Sequence, residues 1–136
     1  MVKLSDYVIQ FFVDRDVTDT FLVSGGGIMH LLDSIGRNPA MNYYCNYHEQ
    51  ACAIAAEGYA RATTKPGLCL GTTGPGAINA ISGILGAWVE SVPMVLLTGQ
   101  VRTDIIADYQ HVRQVGPNPV PCNRIESDGG LVENQQ

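Results

Sequence analysis

Apolar residues at Leu4, Tyr7, Val8, Phe11 and Phe12 recur at helical spacing, which predicts a first helix with Ser5 or Asp6 near its start. The next apolar run, TFLVS at 20–24, is short and ends in Gly25-Gly26-Gly27, so it predicts a buried strand and a tight turn. IMHLLDSI at 28–35 suggests a short helix, and Asn38-Pro39 breaks the chain. MNYYCNY at 41–47 reads as a second strand. Alanine dominates from 49 to about 63, which predicts a helix whose small side chains allow close packing. After a turn at Lys65-Pro66-Gly67, GLCLGTT at 67–73 gives a third strand. GPGAINAISGILGAWVE at 74–90 reads as a loop and one helix, and PMVLLTG, entered at Pro93, as a fourth strand. Strands that alternate with helices and are almost continuously apolar imply a parallel sheet covered on both faces. The expected class is therefore α/β, a three-layer sandwich with a mostly parallel central sheet.

Ligands of such sheets bind at the carboxyl ends of the strands. Here those ends are Ser24 to Gly27, Tyr47-His48-Glu49, Thr72 to Gly76, and Thr98-Gly99-Gln100. Glu49 is conspicuous: a chain poor in charge puts a carboxylate where a strand hands over to a buried helix. One reading makes it a first-turn acid stabilised by the helix dipole. Another makes it a catalytic group aimed into a cleft.

Composition narrows the choice. The 136 residues suffice for one domain with a real core. A formal net charge of −5 with no Lys/Arg cluster argues against a nucleic-acid partner. No apolar run is long enough to span a bilayer and no signal-like N-terminus is present, so a cytoplasmic protein is expected. Of the four cysteines, Cys45, Cys52 and Cys69 sit in apolar segments and read as reduced, buried thiols. The cysteines form no CxxC pair and show no metal-like spacing with histidine, so no metal site is expected. After Val115 the chain carries three prolines and no periodicity, the composition of an irregular or disordered tail over 116–136.

A dinucleotide site fits poorly. GPGAIN follows a strand, but Asn79 stands where a last glycine should be, and Pro75 separates the first two glycines. SGGGIMH fails in the same way at His30. No Gly-Lys-Ser/Thr occurs, which excludes a P-loop.

The motifs HEQ at 48–50, AAEGYAR at 55–61, T-x-GPG-x-x-N at 72–79 and P-M-x-x-x-TGQ at 93–100 occur together. In that combination, residues 3 to about 115 resemble the pyrimidine-binding domain of thiamine-diphosphate-dependent enzymes, most closely the acetolactate synthase and pyruvate oxidase branch. The resemblance implies that Glu49 bonds N1′ of the cofactor's aminopyrimidine and shares a proton with it. That helps the 4′-nitrogen take the proton from the thiazolium C2, so the cofactor can serve as electron sink for a 2-keto acid. By the same resemblance Ser24 and Gly25 form the turn against the aminopyrimidine. Thr72, Pro75, Gly76 and Asn79 belong to the loop and helix start beside it. Plainer roles stand next to these. Gly25, Gly74 and Gly76 would permit turns; Asn79 would steady its own helix; His48 would support Glu49. Glu57 and Arg61, four apart, are expected to pair on the helix, and His30 and His111 to lie on the surface. Gln110 or Gln114 falls near a glutamine that approaches the cofactor in acetolactate synthases.

The sequence also departs from that family. Gly-Asp-Gly followed at a distance by Asn, the signature of its diphosphate-binding domain, is missing. The resemblance thus implies thiamine diphosphate held by its pyrimidine end only, with Mg²⁺ expected only alongside a separate diphosphate-binding domain or subunit. Such a chain supplies half a site, and its apolar helices predict a homo-oligomer. Two other functions compete: a non-catalytic oligomerisation or regulatory module, and a nucleotide-binding α/β domain.

Overall fold

The computed structural model of the protein describes residues 2–100 and the short segments 124–125 and 131–132. One compact unit covers 1–101. It contains α1 (Leu4–Val13), β1 (Asp19–Leu22), a 3-10 turn at Gly26–Ile28, α2 (Met29–Arg37) and β2 (Asn42–Cys45). These are followed by α3 (Glu49–Thr63), β3 (Gly67–Gly71), α4 (Pro75–Asn79), α5 (Ile81–Val89) and β4 (Met94–Thr98).

The four strands are all parallel, in the order β2-β1-β3-β4. The chain runs from β1 outward to β2, and the connection through α3 returns past β1 to β3. The winding direction therefore reverses between β1 and β3, the position where α/β sheets open a crevice for ligands.

Alternation along the strands separates two cores. Leu22, Leu68 and Leu70 join Ile9, Phe12, Ile28 and Ile35 on the α1/α2 face, with Val95 and Leu97 of β4 packed against them. Cys69 joins Cys52, Ala53, Ala56 and Ala80 on the α3/α5 face, where Phe21, Val23, Met94 and Leu96 complete the packing. This second core is built from small side chains because the helix lies close to the sheet. A Cβ at Gly67 would collide with the backbone carbonyl of Ala56. The expected three-layer sandwich is what forms.

Two local expectations need correction. Cys45 is exposed rather than buried: β2 is an outer strand of the described sheet and all four of its residues are exposed. Its tyrosines look apolar in sequence but face water. The helix expected over 74–90 is two helices, α4 and α5, meeting at Ala80. There the Ala80 amide bonds to Ala77 O, three residues back, at 3.3 Å, so the i−4 ladder slips by one residue. Ser5 and Asp6 stand near the start of α1 as expected, in its first turn behind the N-cap Lys3. Both side chains are turned to α2, where Ser34 Oγ lies 2.9 Å from Ser5 Oγ and 2.6 Å from Asp6 Oδ1.

A second compact unit covers 102–136. In it β5 (Arg124–Ile125) and β6 (Leu131–Val132) pair antiparallel, Arg124 opposite Val132. These two short strands lie within the stretch 116–136, expected as an irregular or disordered tail. The expected boundary at 115, and with it Gln110, His111 and Gln114, lies outside the described residues.

Candidate active site at the carboxyl ends of the strands

Glu49 is the first residue of α3, directly after β2 and its short connection. The cap of that helix is His48, whose Nδ1 accepts the Gln50 amide at 3.2 Å. His48 thus caps the helix end on which Glu49 stands. The capping role does not fall to the Glu49 carboxylate, and its side chain reaches across to the next connection instead. Oε2 accepts from Asn79 Nδ2 at 3.1 Å. Oε1 faces Gly76, where an added Cβ would stand 3.1 Å from it. Among the described residues Oε1 meets no donor.

Thr72, the first residue past β3, organises the rest. Its side chain fills the space between two turns: a Cβ at Gly25 would lie 2.5 Å from Thr72 Cβ, and one at Gly76 2.6 Å from Thr72 Cγ2. Gly25 has an extended backbone, with φ −171°. These two glycines are thus required by space, not by conformation. Gly74 is the opposite case. Its φ of +65° is the left-handed region that favours glycine, and its Cβ position is open. That turn lets Pro75 start α4 at the position proline prefers.

Glu49, Gly25, Thr72, Gly76 and Asn79 therefore form one cluster, bridged by Thr72 and by the Glu49–Asn79 bond. Ser24 and Pro75 are exposed at its rim, each adjacent in sequence to a member. Gln100 reaches the same edge, where Thr73 Oγ1 donates to its Oε1 at 3.5 Å. His30 is exposed. The Glu57–Arg61 pair forms as expected, at 2.6 Å, and Arg61 extends it to Glu90 at 2.7 Å.

Two neighbours of Glu49 were not anticipated as part of the site. Cys52 and Cys69 lie beneath it, both fully buried. Burial drives the Cys69 thiol up to about 12, and Cys52 and Glu49 add to the effect. Burial also raises Cys52, against opposing hydrogen bonds from Asn46, with the Glu49 charge adding to the rise. Both thiols stay protonated, so the floor below the carboxylate is neutral and dry. The signal was available in the spacing: Glu49, Cys52, Ala53 and Ala56 share one face of α3.

A second carboxylate makes more bonds than Glu49 but sits at the opposite end of the sheet. Asp19 opens β1 and accepts from Tyr44 at 2.9 Å, Tyr59 at 3.0 Å, Thr18 at 3.0 Å and Asn42 at 3.3 Å. Partial burial raises its pKa, and the four donors more than offset that, leaving it below the usual carboxylate value. Fully bonded, Asp19 serves as an anchor for β2 and α3.

Among the described residues no group of three or more His, Cys, Asp or Glu could hold a metal ion. No described helix is long and apolar enough to cross a membrane.

Residues 2–118 match the family described as thiamine pyrophosphate enzyme, N-terminal TPP binding domain. The chain is 44% identical over 108 residues to the acetolactate synthase large subunit of Haemophilus influenzae, covering 78% of this chain and 19% of that protein. It is 43% identical over 104 residues to the chloroplastic acetolactate synthase 2 of Nicotiana tabacum, covering 76% and 16%. Against the acetolactate synthase isozyme 3 large subunit of Escherichia coli it is 38% identical over 118 residues, covering 85% and 21%. The matched region is thus about a fifth or less of each relative's length. With a match that takes in most of its residues, the chain belongs to the thiamine pyrophosphate enzymes, as their N-terminal TPP-binding domain.

Proposed function

We propose that this chain is the pyrimidine-binding half of an acetolactate synthase-like carboligase or decarboxylase, a transferase or lyase acting on a 2-keto acid. In this reading Glu49 is the acid that shares a proton with N1′ of thiamine diphosphate. The observation that carries it is the asymmetry of the Glu49 carboxylate: Oε2 is held by Asn79, while Oε1, beside Gly76, meets no donor among the described residues.

The residues present fit the pyrimidine end of that cofactor. A flat ring needs a narrow slot with one acid at its edge. The glycines at 25 and 76 let Thr72 pack between their two turns, where it would form a wall of such a slot beside Glu49, and a Cβ at either would displace it. Ser24, Gly25, Thr72, Pro75 and Gly76 would line the slot, with Asn79 behind Glu49, and Glu49 Oε1 would give or take the N1′ proton. The buried thiols below exclude water, which strengthens that hydrogen bond. When bound, the cofactor supplies the carbanion chemistry that a protein side chain lacks.

The diphosphate end and its Mg²⁺ belong in this reading to another domain or subunit. Relatives several times longer than the matched region support that division. A homo-oligomer is proposed as well, on the exposed apolar face of α4 and α5 considered below. Buried, protonated Cys52 and Cys69 favour a reducing compartment, and the cytoplasm is proposed, although several relatives are chloroplastic.

Calorimetry with thiamine diphosphate and Mg²⁺ tests the reading, with and without a chain that carries a diphosphate-binding domain. Binding is expected only with both chains. It should be lost in Gly76→Ala, whose methyl would sit 3.1 Å from Oε1. Absence of binding to the assembled pair, or unchanged binding by Gly76→Ala, would contradict it.

A further inference from the structure

We propose that Asn79 is a positioning residue that acts through Glu49, rather than a residue that binds the cofactor itself. The proposal rests on the catalytic reading of Glu49 given above.

A carboxylate on the first residue of a helix is free to rotate, because no preceding turn confines its side chain. Here one oxygen is fixed from outside the helix. Asn79 lies thirty residues on, at the end of α4, and gives its amide proton to Oε2 at 3.1 Å. An amide donor occupies the oxygen it bonds. Proton sharing is thereby confined to Oε1, the oxygen facing Gly76.

What makes this more than a chance contact is the way the two helices are joined. One turn along from Glu49 is Ala53, and four residues along from Asn79 is Gly83. A Cβ at Gly83 would lie 2.5 Å from Ala53 Cβ and 3.0 Å from the Ile54 amide nitrogen. At the next turn, a Cβ at Gly86 would lie 3.1 Å from Glu57 Oε2. At the far end Arg61 meets Glu90 at 2.7 Å. Successive turns of α3 thus touch successive turns of α4 and α5, in step, from Glu49–Asn79 to Arg61–Glu90. Two glycines bring the backbones near enough that a side chain as short as Asn79 reaches Glu49. The slip in the helix at Ala80, whose side chain is fully buried, lies directly after Asn79 in this seam.

The side-chain amide of Asn79 can be observed directly by NMR in the isolated chain, with no cofactor. One of its two protons is expected to be displaced downfield and slow to exchange with water. Glu49→Ala should abolish both features while leaving the backbone amide pattern elsewhere unchanged. Equal Asn79 amide signals in the two chains would overturn the proposal. A second arm uses the chain assembled with a diphosphate-binding partner, thiamine diphosphate and Mg²⁺. Asn79→Ala, and Asn79→Asp with the same shape but no donor, should slow exchange of the cofactor C2 proton by about tenfold or more, the order carried by one hydrogen bond to a charged group. Cofactor affinity should change by less than about threefold, because the affected contact is with Glu49. If affinity fell as far as the exchange rate, Asn79 would be touching the cofactor and the positioning role would be wrong. Failure of the parent pair to bind cofactor would instead count against the proposed function, and the NMR arm would still decide whether Asn79 holds Glu49.

Discussion

Gly83 lies against Ala53 so closely that an added methyl group would stand 2.5 Å from the Ala53 Cβ. Helix propensity alone would make Gly83→Ala a stabilising change of about 1 kcal/mol. The contact reverses the sign, because the neighbours are an adjacent side chain and the backbone of Ile54, which cannot swing away. We expect Gly83→Ala to destabilise the domain by about 1–2 kcal/mol, in the range of overpacked cores. Urea unfolding measures it. Gly58, with open space at its Cβ position in α3, is the control, and Gly58→Ala should be neutral or stabilising. An unchanged or raised midpoint for Gly83→Ala would mean the helices can separate at no cost.

Asp19 fixes the sign of the acid response. Its folded pKa lies below the ordinary carboxylate value, so its contribution is present above that ordinary value and is lost as pH falls through the lower, folded one. Tyr44 and Tyr59 act in the opposite direction. The bond to Asp19 raises Tyr44, and burial together with the same carboxylate raises Tyr59. Their contribution is full below 10.0 and is lost as pH climbs through their raised values. Thermal unfolding across pH should therefore show losses at both ends. Asp19→Asn should flatten the acid limb, and Tyr44→Phe and Tyr59→Phe the alkaline one. An acid limb identical in Asp19→Asn would assign it to other carboxylates.

How much of this was visible beforehand depended on the range of the interaction. The four strands and the helices around them follow from local apolar patterning, and so does the placing of Glu49 at a strand-to-helix junction. The exposure of Cys45 did not follow, because only the strand order shows that β2 lies at the edge. The helix break at Ala80 escaped because no glycine or proline stands between Ala77 and Ser82 to mark it. Gly25 and Gly76 were read as glycines that permit turns, whereas Thr72 makes them necessary by filling the space beside them. The Glu49–Asn79 bond joins residues from different connections, and no periodicity links them.

An apolar surface remains on α4 and α5. Ile78, Ile81, Leu85, Trp88 and Val89 are exposed there, and Trp88 retains 81% of its accessibility. Such a patch is unusual on a stable monomer. The chain should self-associate at micromolar concentration, and Trp88→Ser with Leu85→Ser should weaken the association without unfolding the domain. Light scattering across a dilution series checks this. A monomer mass independent of concentration in the parent chain would contradict it.

The central claim concerns a single proton at Glu49. Glu49→Gln keeps the size of the side chain and a carbonyl that Asn79 can still bond, but it cannot share a proton with N1′. In the chain assembled with a diphosphate-binding partner, thiamine diphosphate and Mg²⁺, the measurement is the exchange rate of the bound cofactor's C2 proton, followed by NMR after transfer to deuterated buffer. The account predicts a fall of about 10²–10⁴-fold, the usual contribution of a positioned acid or base, with the backbone spectrum of the domain unchanged. Exchange in Glu49→Gln as fast as in the parent would contradict it.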